Sequence, residues 1–237
     1  SATFKQTSKI REDLVNIDPE NYLLAKGPSQ RMSAEMIRDN ALKVSGLLVP
    51  IIGGKSVYPY QPSGLWDLSD KSWRYRYQHD KNENLYRRSL YTFWKRSAPP
   101  PSMLIFDTPN RDLCSVKRTL TSSPLQALLL LNDPQFIEAA RVMAENSILS
   151  KEKSIDKKLS TLFREIIGRT IRDGELEILL RFYNEEKEKF SKNQSKAIAY
   201  LKTGEKPMNS DIEVVNMAAL ATVISGMMNT AEAITIN

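Results

Sequence analysis

The sequence predicts a mainly α-helical chain with a minor extended or β element in the middle third. Three observations carry this. Apolar residues recur at helical spacing before residue 50 and again from residue 123 onward. Ser123-Pro124 and Asp133-Pro134 each place a capping side chain before a proline, the signature of a helix start. Between Gly53 and Ser122 the helical period lapses, and Tyr, Trp, Arg and Pro take over. The whole chain, residues 1–237, reads as a single domain. Residues 18–122 give a helix plus an irregular Arg- and aromatic-rich region, and 123–237 a helical-bundle part.

With 237 residues, 41% hydrophobic and 26% charged, the chain has the composition of a globular protein that needs no covalent staple. It has one cysteine, Cys114, and one histidine, His79, so an internal disulfide is impossible and a structural zinc site of about four ligands is not expected. No metal and no cofactor is expected in this chain. The net charge of +6 is concentrated: eleven Lys and Arg lie between Lys71 and Arg118 against four acids, so the remainder is slightly acidic. A localised excess favours a site over a general polycationic coat. No apolar run reaches the roughly 18 residues that span a bilayer; Met217 to Met228 is too short and carries Thr222, Ser225 and Gly226. The chain opens at Ser1 without a signal-peptide pattern and reads as a piece of a longer protein.

In chain order, Asp18-Pro19-Glu20-Asn21-Tyr22 reads as a turn, and Ser29 to Leu48 as a helix that Pro50 and Gly53-Gly54 terminate. Tyr58-Pro59-Tyr60-Gln61-Pro62 is expected extended, because a residue before proline avoids the helical region. Trp66, Trp73, Tyr75 and Tyr77 add apolar mass. Leu85 to Arg96 fits a strand through Tyr91, Thr92, Phe93 and Trp94, although Leu90, Phe93 and Trp94 also suit a helix; strand is the expectation. Met103 to Phe106 is expected extended. Helices follow at Leu125–Leu131, after Asp133-Pro134, at Leu159–Ile167 ended by Gly168, around Leu176–Lys189, at Ser195–Leu201 and at Ile212–Met228. Ser147 to Ser154 is the one plausible hinge.

The chemistry-bearing candidates centre on Leu85–Arg96. Arg87, Arg88 and Arg96 sit among Tyr91 and Trp94, and Arg118 and Asp107 follow. Guanidinium forks bind carboxylates, sulfates or phosphates, and aromatic faces stack on sugars, bases or other arginines. The competing reading is that these arginines pair internally with Asp107, Glu35 or Asp39 and brace a region poor in regular hydrogen bonds. Arg31, Glu35, Arg38 and Asp39 lie one helical turn apart, close enough for ion pairs. Glu35, Asp39 and Asp107 are also the only carboxylates to consider as an acid pair for glycoside hydrolysis, with no spacing that demands it. No catalytic residue is assigned. His79 and Cys114 carry no motif of a base and nucleophile. Gly53-Gly54-Lys55-Ser56 lacks the earlier glycine of a phosphate loop and follows a helix. No nucleic-acid-binding module is recognisable, so nucleic acid is not the expected partner.

Several words of the sequence recur together in one known family. They are Arg31-Met-Ser-Ala-Glu35-Met-Ile-Arg38-Asp39, Ser45-Gly46-Leu47-Leu48, Ile52-Gly53-Gly54, Tyr60-Gln61-Pro62, Tyr86-Arg87-Arg88-Ser89-Leu90-Tyr91 and Lys95-Arg96. Phe106-Asp107-Thr108-Pro109, Arg111, Cys114, Arg118, Pro124-Leu125-Gln126-Ala127-Leu128, Leu131-Asn132-Asp133-Pro134, Leu159 to Arg169 and Met228-Asn229-Thr230 continue the series. Over roughly residues 18 to 237 the chain resembles the planctomycete-type, cytochrome-associated PSD domain family of unknown function. It departs at Ile171-Arg172, where the family places a proline and a capping hydroxyl. It departs again at Ala231-Glu232-Ala233, where the family reads Asp-Glu-Phe.

The resemblance implies the C-terminal domain of a larger exported bacterial protein, hence an extracytoplasmic setting in the periplasm or at the cell surface. It implies a haem elsewhere in the parent and an upstream domain as partner. It implies no activity. The leading expectation is a non-catalytic binding or interaction module that contacts an anionic glycan or the upstream domain. The alternatives are an extracytoplasmic enzyme acting on polysaccharide and a purely structural domain of a cytochrome c-linked redox protein.

Overall fold

The computed structural model describes residues 5–9, 11–27, 29–67, 76–209 and 211–236. Trp73 and Tyr75, assigned apolar packing above, lie outside the described residues. The fold is mainly helical, as predicted. The helices run α1 Glu12–Ile17, α2 Ala34–Val44, α3 Pro101–Ile105, α4 Pro124–Asn132, α5 Pro134–Leu149, α6 Ile155–Ile167, α7 Asp173–Lys192, α8 Gln194–Leu201 and α9 Val214–Met228.

The second half follows its sequence signals closely. Asp133 ends α4 and caps α5, its Oδ1 accepting from the Gln135 N–H at 2.9 Å. Gly168 takes a left-handed conformation (φ +86°) and closes α6. The five residues 150–154 between α5 and α6 occupy the expected hinge position. α9 is apolar on nearly every face, and Met217, Ala218, Ala219, Leu220, Val223 and Ile224 are fully sequestered. It packs against α5, α7 and α8. Gly226 lets α7 approach, since a Cβ there would sit 3.2 Å from the Phe182 ring.

The first half differs from expectation in three places. The first long helix is shorter than Ser29–Leu48. Ser33 caps it, accepting from the Met36 N–H, and Gly46 at φ +77° turns the chain out after Val44, well before Pro50. Leu85 to Arg96 is not a strand. It forms two 3₁₀ turns, Asn82–Tyr86 and Ser89–Tyr91, and is tied to the preceding segment by isolated parallel bridges, Val49 with Arg87 and Val57 with Thr92. The β-favouring aromatics serve a different end: Tyr58, Trp66, Tyr77 and Phe93 pack ring to ring, with Tyr58 stacked on Phe93 at 4.9 Å. Met103–Phe106 is not extended either. The triple proline places Pro101 at the start of α3, where its fixed φ suits a helix and its missing N–H costs nothing.

The extended element of the middle third is thus confined to bridges. The two-stranded ladder joins Gln30–Arg31 (β1) to Thr235–Ile236 (β2), antiparallel, near the two ends of the described chain. Two clusters form the core. One surrounds α9; the other gathers Ile37, Ala41 and Leu42 of α2 with Leu85, Tyr86, Met103 and Phe106. α5 serves both, giving Ala140, Met143 and Ala144 to the first and Phe136, Ala139 and Val142 to the second. A helix turned to two cores has little polar face to spare, so two of its charged residues, Glu138 and Arg141, are buried, at 0% and 1% exposure.

Candidate functional site

The arginines divide into two groups. Arg38 projects from α2 into the interior and is 4% exposed. Its guanidinium donates to Gln135 Oε1 (2.6 Å), the Arg87 carbonyl (2.7 Å), the Leu85 carbonyl (2.7 Å) and Ser89 Oγ (3.2 Å). Burial pulls its pKa down to about 10, still far above neutrality, so it remains charged. One side chain thereby supplies the hydrogen bonds that a strand would have supplied to residues 85–89.

Arg87 is likewise 4% exposed. It donates to the carbonyls of Gly53 and Lys55 and lies 4.5 Å over the Tyr91 ring. Tyr91 Oη accepts from the Gly53 N–H at 2.8 Å. The Gly53-Gly54-Lys55-Ser56 loop therefore turns carbonyls toward a cation, the opposite of a phosphate cradle.

Arg31 donates to Asp107 Oδ2 at 2.5 Å, and Arg118 to Glu35 Oε2 at 2.7 Å. Burial alone would raise the Glu35 carboxyl, but hydrogen bonds from Arg118, its own backbone and Ser33 outweigh it and hold the group below its ordinary value. Asp107, at φ +61°, also accepts from the Thr121 backbone and hydroxyl. Asp39 Oδ1 accepts from the Ser89 N–H at 2.7 Å and lies 3.8 Å from Arg38. All three candidate carboxylates are therefore engaged as braces between α2, the 3₁₀ region and the loop after α3.

Arg88, Arg96, Trp94, Arg111 and Lys117 behave otherwise. Arg88 is exposed and forms no ion pair among the described residues. Trp94 Nε1 donates to the Asn110 carbonyl (3.1 Å), and Arg111 stacks 4.6 Å over the Trp94 ring. Arg96 pairs with Asp112 at 2.9 Å while 73% exposed. These contacts hold the loop after α3 against residues 94–96 and leave its cations facing outward.

Glu138 and Arg141, which sequence reasoning passed over, build a second polar centre with Tyr60 and Tyr86 of the shared words. Glu138 accepts from the hydroxyls of Tyr60 and Tyr86, both at 2.9 Å, and from the Lys206 N–H at 2.7 Å. Burial, then the Glu138 charge, push both phenols well above their ordinary range. Arg141 lies 3.7 Å from both Glu138 and Glu145 and donates to the Lys206 carbonyl at 2.6 Å. Gln126, buried at the start of α4, donates to the Ile105 carbonyl and Thr121 Oγ1. The available signal was an i,i+3 Glu138/Arg141 pair on a helix whose Phe136, Ala139, Ala140, Val142 and Met143 are needed for two cores.

Beside this centre lies an apolar groove of about 500 Å³ with Tyr60, His79, Pro101, Ile105, Leu125 and Leu128 among its walls. A second cavity of about 460 Å³ opens between the end of α2, α5 and α6. Glu35, Asp39, Asp107 and the predicted arginines line neither. His79 contacts Glu205 at 2.8 Å and packs on Tyr60, whereas Cys114 is exposed in the loop after α3. Among the described residues no cluster of His, Cys, Asp and Glu could hold a metal ion, and no helix is long and apolar enough to cross a membrane.

The geometry defines a helical domain whose irregular third is held by buried arginines. Residues 1–183 match the family model PSD1, protein of unknown function (DUF1553), and the chain belongs to that family. The match ends within α7, so α8, the core helix α9 and the Met228-Asn229-Thr230 word lie beyond it. No curated protein and no solved structure matches the chain.

Proposed function

We propose that this chain is a non-catalytic interaction module of an extracytoplasmic, cytochrome-linked multidomain protein. Its exposed cations contact an anionic partner, an acidic glycan or the upstream domain of the same protein. Any haem of that parent belongs to another of its domains. The observation that carries the reading is the division of the arginines. Arg31, Arg38 and Arg87 are spent on carbonyls and a carboxylate inside the domain and Arg118 on Glu35 at its surface, whereas Arg88, Arg96, Arg111 and Lys117 are exposed, with Arg111 over the Trp94 ring. Glu35, Asp39 and Asp107 are tied to Arg118, the Ser89 N–H and Arg31, and none lines either of the two cavities described above. That arrangement speaks against the glycosidase alternative, which needs two carboxylates about 5 to 10 Å apart flanking a sugar ring.

The test is calorimetric titration with a polyuronate and a sulfated polysaccharide, and separately with the isolated upstream domain. Arg88→Glu with Arg111→Glu is expected to weaken binding at least about tenfold and to lower its salt dependence, with the thermal midpoint unchanged. Unchanged affinity for all three would overturn the reading and leave the structural role.

A further inference from the structure

We infer that two copies of this chain associate by exchanging the segment of residues 11–24, each laid on the basic, apolar face that residues 94–96 and 110–117 form on the other copy. This rests on the interaction-module reading above and names a partner for part of the same cationic surface.

The segment is shaped for contact, and among the described residues most of it stands in water. From Arg11 to Leu24 it carries four carboxylates against one cation, Arg11, which pairs with Asp13 at 3.2 Å, so the segment is net acidic. α1 buries none of its residues. Ile17, Tyr22 and Leu23 are 71%, 84% and 73% exposed. Yet the turn after α1 is ordered: the Asp18 carboxylate accepts from the Tyr22 and Leu23 N–H groups at 2.8 and 2.7 Å, and Asn21 bonds Lys26 in both directions. A pre-formed turn that holds three large apolar side chains in water has already met part of the ordering cost of association.

The face has the opposite charge and the same apolar excess. Three contacts hold it together, Trp94 to Asn110, Arg111 over Trp94, and Arg96 to Asp112. On it Leu113 is 84% exposed and Val116 fully so, and Arg111 and Lys117 have no carboxylate partner among the described residues. A glycan would satisfy the cations but leave Leu113 and Val116 in water. An acidic peptide with apolar side chains satisfies both, and the 11–24 segment has that chemistry. Within one copy it does not cover the face, since both patches remain exposed. Reciprocal exchange between two copies closes a two-fold dimer and covers each patch once. Two such contacts bury more surface than one, and because charged, exposed groups carry them the dimer is weak and salt-sensitive.

Sedimentation velocity across a concentration series tests this. The wild type should shift from monomer to dimer at low salt and return to monomer at high salt. Glu12→Lys with Glu20→Lys, and separately Arg111→Glu with Lys117→Glu, should each remain monomeric. An equimolar mixture of the two variants should dimerise again, because each arm then meets a face of opposite charge. A second readout uses the chain's only cysteine: Leu23→Cys should cross-link between copies to native Cys114 with a short bismaleimide, and Leu23→Cys with Cys114→Ala should not. A wild type that stays monomeric throughout, or folded variants whose mixture fails to dimerise, overturns the inference. If acidic ligands still lose affinity for Arg88→Glu with Arg111→Glu while the wild type is monomeric, the exchange fails and the module reading stands. A dimer that forms while those ligands bind wild type and variant alike supports the exchange and removes the ligand reading.

Discussion

The Tyr86 hydroxyl donates to Glu138 Oε1 at 2.9 Å and joins the irregular third of the chain to the middle of α5. The same carboxylate holds Tyr60 and the Lys206 N–H, so one buried acid fastens three segments that share no regular ladder. Tyr86→Phe is expected to cost about 1 to 2 kcal/mol, because the carboxylate loses one donor and keeps the others. Glu138→Ala should cost more, about 3 to 5 kcal/mol, since two phenols and the Lys206 N–H lose their acceptor and buried Arg141 loses one of its two carboxylates. Urea denaturation of the two variants checks the order; equal costs would mean that Glu138 does not organise the cluster.

Gly204 lies directly over this carboxylate. A Cβ there would stand 2.4 Å from Glu138 Cδ, and the backbone is at φ +101°. Gly168, at φ +86°, has open space around the same position. Gly168→Ala is expected to cost about 1 to 2 kcal/mol, the left-handed penalty alone. Gly204→Ala should exceed it clearly, and the thermal midpoints of the pair separate steric from conformational cost.

Arg38 and Arg88 are contrasting sites. Arg38→Met removes a buried cation from two carbonyls, a hydroxyl and an amide, and is expected to destabilise by about 3 to 5 kcal/mol. Arg88→Ala removes an exposed side chain and should change stability by no more than about 0.5 kcal/mol. Only the second belongs in a binding assay, and Arg87→Ala, which would strip the loop at Gly53–Lys55 of its donor, does not.

Between the two departures from the family words, Arg169 ties the start of α7 to the segment after α9. Arg169 donates to Glu175 at 2.7 and 2.8 Å and to Glu232 at 2.6 Å, and Glu175 also accepts from the Arg172 N–H at the start of α7. An arginine side chain cannot accept a bond from the helix, so only the Glu175 half of a capping box is made, its carboxylate accepting from the Arg172 N–H. The Arg169 guanidinium, helped by that backbone bond, holds the Glu175 carboxyl down to about 2 from an ordinary 4.5, and holds Glu232 below its ordinary value. A depressed carboxyl contributes stability that is complete above the unfolded value and lost as pH falls through the folded one. The thermal midpoint should therefore decline between pH 4.5 and 2 in part because of this triad. Arg169→Ala should flatten that part of the profile; the triad is partly exposed, so the effect is about 1 kcal/mol.

The sequence by itself determined the helical half. Asp133-Pro134, Gly168 and the apolar runs of α6 and α9 act over four or five residues, so cap, stop and buried face can be read where they stand. It also singled out Arg31, Glu35, Arg38, Asp39, Arg87 and Asp107 as residues that matter together. Only the tertiary structure decided what they do. Arg38 meets Arg87 across 49 positions and Arg31 meets Asp107 across 76, and no local pattern encodes such pairs. The same distance effect hid the 3₁₀ form of Leu85–Arg96: its aromatics have strand propensity, but its carbonyls had been claimed by an arginine from α2. Glu138 was hidden for the matching reason, because a charged residue on a helix reads as solvent-facing until a second core packs over it.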